Sequence, residues 1–74
     1  MDLRIPKLGV AMTEGTIVEW LVDDGASVEA REPLYVLEND KVENEIESPV
    51  AGVIRITAAA GEVYGIGALI ATIN

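Results

Sequence analysis

Apolar and polar side chains alternate with a period of two along most of this chain, and a helical period is nowhere sustained. Asp2-Leu3-Arg4-Ile5 alternates and then meets Pro6, which predicts a short strand with proline at its end, where no ladder donor is needed. Lys7 to Glu14 is a loop containing Gly9. Gly15-Thr16-Ile17-Val18-Glu19-Trp20-Leu21-Val22 is rich in β-branched and aromatic residues and is the longest predicted strand. Asp23-Asp24-Gly25 predicts a turn, Asp-Gly being a hairpin cue. Ala26 to Glu32 reads as a short connection with Val28 inward, and Pro33 opens a strand through Leu34-Leu37. Pro49 to Gly52 turns the chain, Val53-Ile54-Arg55-Ile56-Thr57 is a further strand, and Leu69 to Ile73 closes the fold. Ala58-Ala59-Ala60 is too short to be a helix beside Gly61.

The pattern also repeats. Gly15 matches Gly52 and Ile17 matches Ile54 at a spacing of 37. After Asp23-Asp24 the spacing drops to 36, where Gly25 matches Gly61, Val28 matches Tyr64, Leu34 matches Ile70 and Leu37 matches Ile73. Two similar halves of short strands predict two-fold pseudo-symmetry within a single domain over residues 1–74. That symmetry puts the turn between the halves and the chain ends at equivalent corners of opposite sheets, so the termini should lie far from residue 41.

The turn between the halves carries the candidate chemistry. Leu34-Tyr35-Val36-Leu37 leads in, Ile46 alternates with Glu45 and Glu47 on the way out, and Asn39-Asp40 lies between as a turn signal. Lys41 therefore stands at or beside the tip of a hairpin, among Glu38, Asp40, Glu43, Glu45 and Glu47, with its flexible stem in water. It is one of only two lysines, with Lys7. Two readings follow from these residues: an amine on a fixed backbone that an enzyme modifies, or the counter-charge of an acidic surface hairpin.

Composition narrows the classes. With 74 residues, half of them hydrophobic, no Phe and one Trp, the core must be built from Val, Ile, Leu and Ala. The absence of Cys removes disulfides and thiolate metal sites. The absence of His removes the usual general base, and with it any Ser-His-Asp arrangement for Ser27 or Ser48. The 13 acids stand at scattered strand positions, the pattern of a solvated face rather than of a glycosidase carboxylate pair. A net charge of −8 argues against nucleic acid and anionic membranes, and no apolar run has membrane-spanning length. No signal peptide is visible at Met1-Asp2-Leu3-Arg4, so an intracellular, cytoplasmic protein is expected, or a mitochondrial matrix protein from a eukaryote.

Asp40-Lys41-Val42, followed by Glu47-Ser48-Pro49 and Gly52, resembles the modification hairpin of lipoyl domains, the swinging-arm carriers of 2-oxo acid dehydrogenase complexes. Pro6-Lys7-Leu8-Gly9 and Met12-Thr13-Glu14-Gly15-Thr16-Ile17 are similar to the start of the same domain, and the resemblance runs from about Ile5 to Ile73. It implies an all-β fold, a flattened barrel or sandwich of two four-stranded antiparallel sheets, in agreement with the repeat. It implies lipoic acid in amide linkage on Lys41 of a monomeric, non-catalytic domain. The arm would take an acyl group at a thiamine-dependent 2-oxo acid decarboxylase and pass it to coenzyme A at an acyltransferase. Dihydrolipoamide dehydrogenase would then reoxidise it. A lipoate ligase or lipoyl transferase would read Asp40 and Val42 beside the lysine. Glu38 and Glu43, with Glu45 and Glu47, would face a basic partner or form a solvated face. Gly9, Val10, Met12 and Thr13, with Ala11, lie in a loop similar to the one beside the modified lysine in the family, where it contributes to recognition by the decarboxylase.

Two other readings remain at this point. Biotinyl carrier domains share the hairpin but place Met on both sides of the lysine, where this chain has Asp40 and Val42. An unmodified acidic interaction module would tolerate Lys41→Arg. The chain also departs from the lipoyl pattern. Asn39 stands where Thr is frequent, Val42-Glu43-Asn44 replaces smaller residues, and Arg31 stands where a turn glycine is common, which predicts a negative φ there.

Overall fold

The computed structural model describes residues 1–74 as eight β-strands and no helix. They are β1 (Asp2–Arg4), β2 (Glu14–Trp20), β3 (Ser27–Val28), β4 (Pro33–Asn39), β5 (Val42–Glu47), β6 (Gly52–Ile56), β7 (Val63–Gly65) and β8 (Leu69–Ile73). They form two four-stranded antiparallel sheets with strand orders β1-β8-β6-β3 and β5-β4-β2-β7. The expected all-β sandwich is the observed architecture.

Adding four to each strand number turns one sheet order into the other, so the two-fold pseudo-symmetry is built into the topology. The registers agree rung by rung. Pro33↔Glu47, Tyr35↔Ile46 and Val36↔Glu45 correspond to Leu69↔Arg4, Ala71↔Leu3 and Thr72↔Asp2, and both ladders shift at the same place. The core follows the repeat: Ile17 and Ile54, Leu34 and Ile70, and Leu37 and Ile73 are all 2% exposed or less. These β-branched and γ-branched side chains make up half of the 12-residue buried cluster, and their removal from water stabilises the fold.

The structure corrects the sequence reading in several places. The change in spacing falls at Val18, not after Asp23-Asp24. β2 and β4 pair in register at Ile17↔Leu37 and again at Glu19↔Val36, leaving Val18 as a bulge residue that β6 lacks. Trp20↔Tyr35 then corresponds to Ile56↔Ala71 at a spacing of 36. The Asp-Gly turn is not a hairpin, because β2 and β3 belong to different sheets and the turn carries the chain across. Asp24 Oδ1 accepts from the Ile56 backbone N–H at 2.8 Å and ties that crossing to β6. β3 is a short strand where a connection was expected, β7 is a short strand in a stretch given no element, and β2 ends at Trp20, leaving Leu21 and Val22 outside it.

Arg31 has φ of 71°, opposite in sign to the expectation. Its counterpart in the repeat is Gly67, with φ of 85°, so the fold demands the left-handed turn whatever residue occupies it. The Arg31 N–H reaches Ser48 O at 2.7 Å, and the Glu29 N–H is held by Glu32 Oε1 at 2.9 Å. Those bonds stabilise a conformation that an arginine alone disfavours.

Tyr35 is 2% exposed, and its ring centroid lies 4.9 Å from that of Trp20, whose Nε1–H donates to Ala58 O at 2.9 Å. Burial pushes the Tyr35 phenol up from 10.0 to about 12. The unfolded chain therefore releases this proton near pH 10, while the folded chain keeps it until about 12. The stabilisation is complete below pH 10 and is lost as pH rises through the folded value, at up to about 1.4 kcal/mol per pH unit. Urea midpoints measured from pH 9 to 12 are expected to fall more steeply in the wild type than in Tyr35→Phe. Parallel curves would show that this phenol is not the group responsible.

Candidate attachment site at the hairpin tip

Asp40 and Lys41 are the whole of the loop between β4 and β5, closed by the pair Asn39↔Val42. Their φ values are 51° and 65°. A two-residue hairpin with both central residues at positive φ is a type I′ turn, the form whose twist matches the flanking strands. Asp tolerates this left-handed conformation, because its short side chain bonds locally. The second position is one where glycine is preferred, and a lysine there costs about 1 kcal/mol. Lys41 is exposed, and its side chain makes no hydrogen bond or ion pair. The fold holds an unpaired primary amine on a rigid tip, in a conformation its own side chain does not favour. Strain of this kind at an exposed residue is a pointer to use. Lys7, the other lysine, lies in an irregular loop with no such fixation.

The tip and the chain ends lie at opposite ends of the molecule. Ser48 to Ala51 joins the foot of β5, away from Lys41, to the head of β6, where Val53 and Asn74 exchange both backbone bonds. Met1 O accepts from Ile73 N–H at the same end. The six residues of β5 alone separate the two ends by about 20 Å.

The other predicted recognition residues fall into two groups. Val42 is 59% exposed beside Lys41. Continuing the Thr16↔Glu38 register by two residues brings Glu14 level with Asp40, so the loop that leads into β2 comes down beside the turn. Within that loop Gly9 and Thr13 are exposed and Val10 is 96% exposed, whereas Met12 is 4% exposed and belongs to the core. A shallow open depression is lined by Lys7, Leu8, Gly9 and Val10.

The second group is an acidic face. Glu38 stands directly opposite Glu43, and Glu45 is level with Val36 and Glu19, so Glu19, Glu38, Glu43 and Glu45 share the outer face of the β5-β4-β2-β7 sheet. The one ion pair in the structure, Arg4–Asp2 at 3.5 Å, belongs to the other sheet, so no cation answers these carboxylates. The symmetry counterpart of Glu19 is Arg55 and that of Glu38 is Asn74, whereas Glu45 corresponds to Asp2, so the acid bias of the Lys41 sheet is only partly shared by the repeat. On the edge strand β5 the charges also discourage sheet-to-sheet pairing. Sequence reasoning left Glu19 out of this face, because the Val18 bulge shifts its side by one residue.

The domain family described as "Biotin-requiring enzyme", the biotin and lipoyl attachment domain, matches residues 1–73. The chain is 47% identical over 74 residues to the dihydrolipoyllysine-residue acetyltransferase component of a pyruvate dehydrogenase complex from Corynebacterium glutamicum, covering 99% of this chain and 11% of that protein. It is 40% identical over 71 residues to the corresponding component of an acetoin cleaving system from Cupriavidus necator, covering 95% of this chain and 19% of that protein. It is also 40% identical over 74 residues to a succinyltransferase component of a 2-oxoglutarate dehydrogenase complex from Bartonella vinsonii, covering 99% of this chain and 18% of that protein. The chain thus spans less than a fifth of the length of each of these relatives. With a matching frame along its length and an exposed lysine at the tip of its central hairpin, the chain belongs to the biotin and lipoyl attachment domain family.

Proposed function

We propose that this domain is a lipoyl carrier, holding lipoic acid in amide linkage on the Lys41 Nζ. The observation that carries this reading is the lysine itself, unpaired and exposed in a left-handed position of a two-residue turn. Relatives named for a dihydrolipoyllysine residue support lipoate, and Asp40 and Val42 beside the lysine are unlike the Met pair of biotinyl domains. The bound group would supply a dithiolane that takes up an acyl group and two electrons.

The chain's own contribution is position. The turn fixes the Lys41 Cα, and the side chain projects the amine away from the core. The chain ends leave from the far end, so flanking sequence can tether the domain without crowding the arm. Tethering raises the local concentration of the arm at each partner site to about the millimolar range, so weak docking suffices. Partners on this reading are a thiamine-dependent 2-oxo acid decarboxylase, an acyltransferase, dihydrolipoamide dehydrogenase and a lipoate ligase, in the cytoplasm or the mitochondrial matrix. Glu19, Glu38, Glu43 and Glu45 steer a basic partner surface, an attraction that weakens with salt. Amide formation removes the lysine charge and makes the domain one unit more negative than −8. The domain carries and does not catalyse.

The test is the intact mass after incubation with a lipoate ligase, lipoate and ATP, followed by peptide mapping. One lipoyl increment on the peptide containing Lys41 is the expected result. A biotin increment with a biotin ligase in its place would move the domain to the carboxylase carriers. No increment with either ligase would leave an unmodified acidic interaction module.

A further inference from the structure

Met12 is the only residue of the recognition loop that belongs to the hydrophobic core. At 4% exposure it has almost no surface to offer a partner, and it acts through what it holds. Its sulfur accepts the Leu8 backbone N–H at 3.2 Å, and its own N–H donates to Gly9 O at 3.1 Å. These two bonds close Leu8 to Met12 into one compact turn, with Val10 standing 96% exposed at its outer edge. The thioether then reaches across Gly15. A β-carbon at Gly15 would lie 3.1 Å from Met12 Cε and 2.9 Å from Leu37 Cδ1, so both side chains close over the space that this glycine leaves. Leu37 pairs with Asn44 in the Lys41 hairpin, two rungs below the closing pair. One flexible, polarisable side chain thus bonds the loop's backbone and fills, together with Leu37 of the hairpin, the space over Gly15, a combination that a branched aliphatic residue cannot make. The Thr13 carbonyl accepts from Ile66 N–H at 3.2 Å and fixes the loop's exit.

We propose that Met12 is a positioning residue. Its thioether shapes the Leu8–Ala11 turn and pegs it to the Lys41 hairpin, so that Val10 and Lys41 are offered to the acyl-donating decarboxylase as one rigid surface. The proposal rests on the lipoyl-carrier reading. Met12→Leu keeps the apolar volume and removes the sulfur acceptor, and Met12→Ala removes both.

Backbone amide order parameters for residues 8–11 test the peg without any activity. A rigid loop gives values of about 0.85 and a freed one values below about 0.6. The drop is expected in Met12→Leu at Leu8 to Ala11 and not at Asp40 to Val42, with a thermal midpoint close to wild type. On samples lipoylated to completion by mass, the decarboxylase reaction should lose about tenfold in kcat/KM, with the loss in KM. Unchanged loop order in both variants, or a freed loop with unchanged kcat/KM, overturns the proposal. If the wild type itself takes no lipoyl group the carrier reading falls, while the order parameters still uphold or overturn the pegging of the loop.

Discussion

Lys41→Arg should fold as the wild type does and carry no acyl group at all. The guanidinium keeps the charge and the long stem, and arginine has the same steric cost at φ of 65° as lysine. Net charge stays at −8, so the field of the acidic face is unchanged. What is lost is a primary amine able to form the amide. Lys41→Gly separates function from stability more sharply. Glycine is the preferred residue at the second position of a type I′ turn, and relief of the left-handed strain offsets or outweighs its backbone entropy, by up to about 0.5 kcal/mol. That variant should melt at the wild-type temperature or up to about 3 °C higher, on the scale expected for a domain of this size, and accept no lipoyl group. Mass spectrometry after ligase treatment and thermal melts of the three proteins read both effects. A Lys41→Gly protein that melts below the wild type would show that the turn is not strained and would remove the observation on which the carrier reading leans. A Lys41→Arg protein that gains a lipoyl increment at another lysine would move the attachment site.

The Lys41 hairpin was legible from sequence because three local signals agree there: β-branched and apolar residues leading in, alternation leading out, and turn-forming polar residues between. The two-fold symmetry was legible because matched core positions repeat, and Ile17 and Ile54, or Leu37 and Ile73, prove to be buried counterparts. What escaped was decided by tertiary contacts. Val18 differs in no way from a regular strand residue until Glu19 and Ile17 are both seen paired to β4. Arg31 takes a glycine-like φ because Ser48 holds its backbone from a distant part of the chain. The two residues of β3 carry no periodic signal, and only pairing with Val53 and Gly52 makes them a strand. The Asp-Gly cue named the turn correctly and its geometry wrongly, since nothing local distinguishes a hairpin from a crossing between sheets. In the site, the lysine and its neighbours could be read directly. The thioether bond of Met12 and the membership of Glu19 in the acidic face needed coordinates.

The same symmetry sets up the largest stability effect expected in the domain. Gly15 and Gly52 are counterparts, each packed against a core residue that is itself a counterpart, Leu37 in one case and Ile73 in the other. The two sites are not equally forgiving. At Gly15 a β-carbon would meet side-chain atoms, Leu37 Cδ1 at 2.9 Å and Met12 Cε at 3.1 Å, which can swing aside. At Gly52 it would meet the backbone oxygen of Asn74 and Ile73 Cγ2, both at 2.7 Å, with φ at 156°. Asn74 is held there by both backbone bonds to Val53, at 2.9 and 3.0 Å, so relief of the clash would pull apart the β6–β8 ladder beside the buried Ile54↔Ile73 pair. Positive-φ strain of about 1–2 kcal/mol and overpacking of about 1–3 kcal/mol add at this one position. A chain of this length has about 4–11 kcal/mol of total stability to lose from. Gly52→Ala should therefore lower the melting temperature by about 8 °C or more, and Gly15→Ala by less. Circular dichroism melts of the two variants decide the matter. If Gly15→Ala proves the more damaging, the packing of Met12 and Leu37 over Gly15 is stiffer than the backbone ladder at the opposite end. Rigidity would then be concentrated under the Lys41 turn and not around the chain ends.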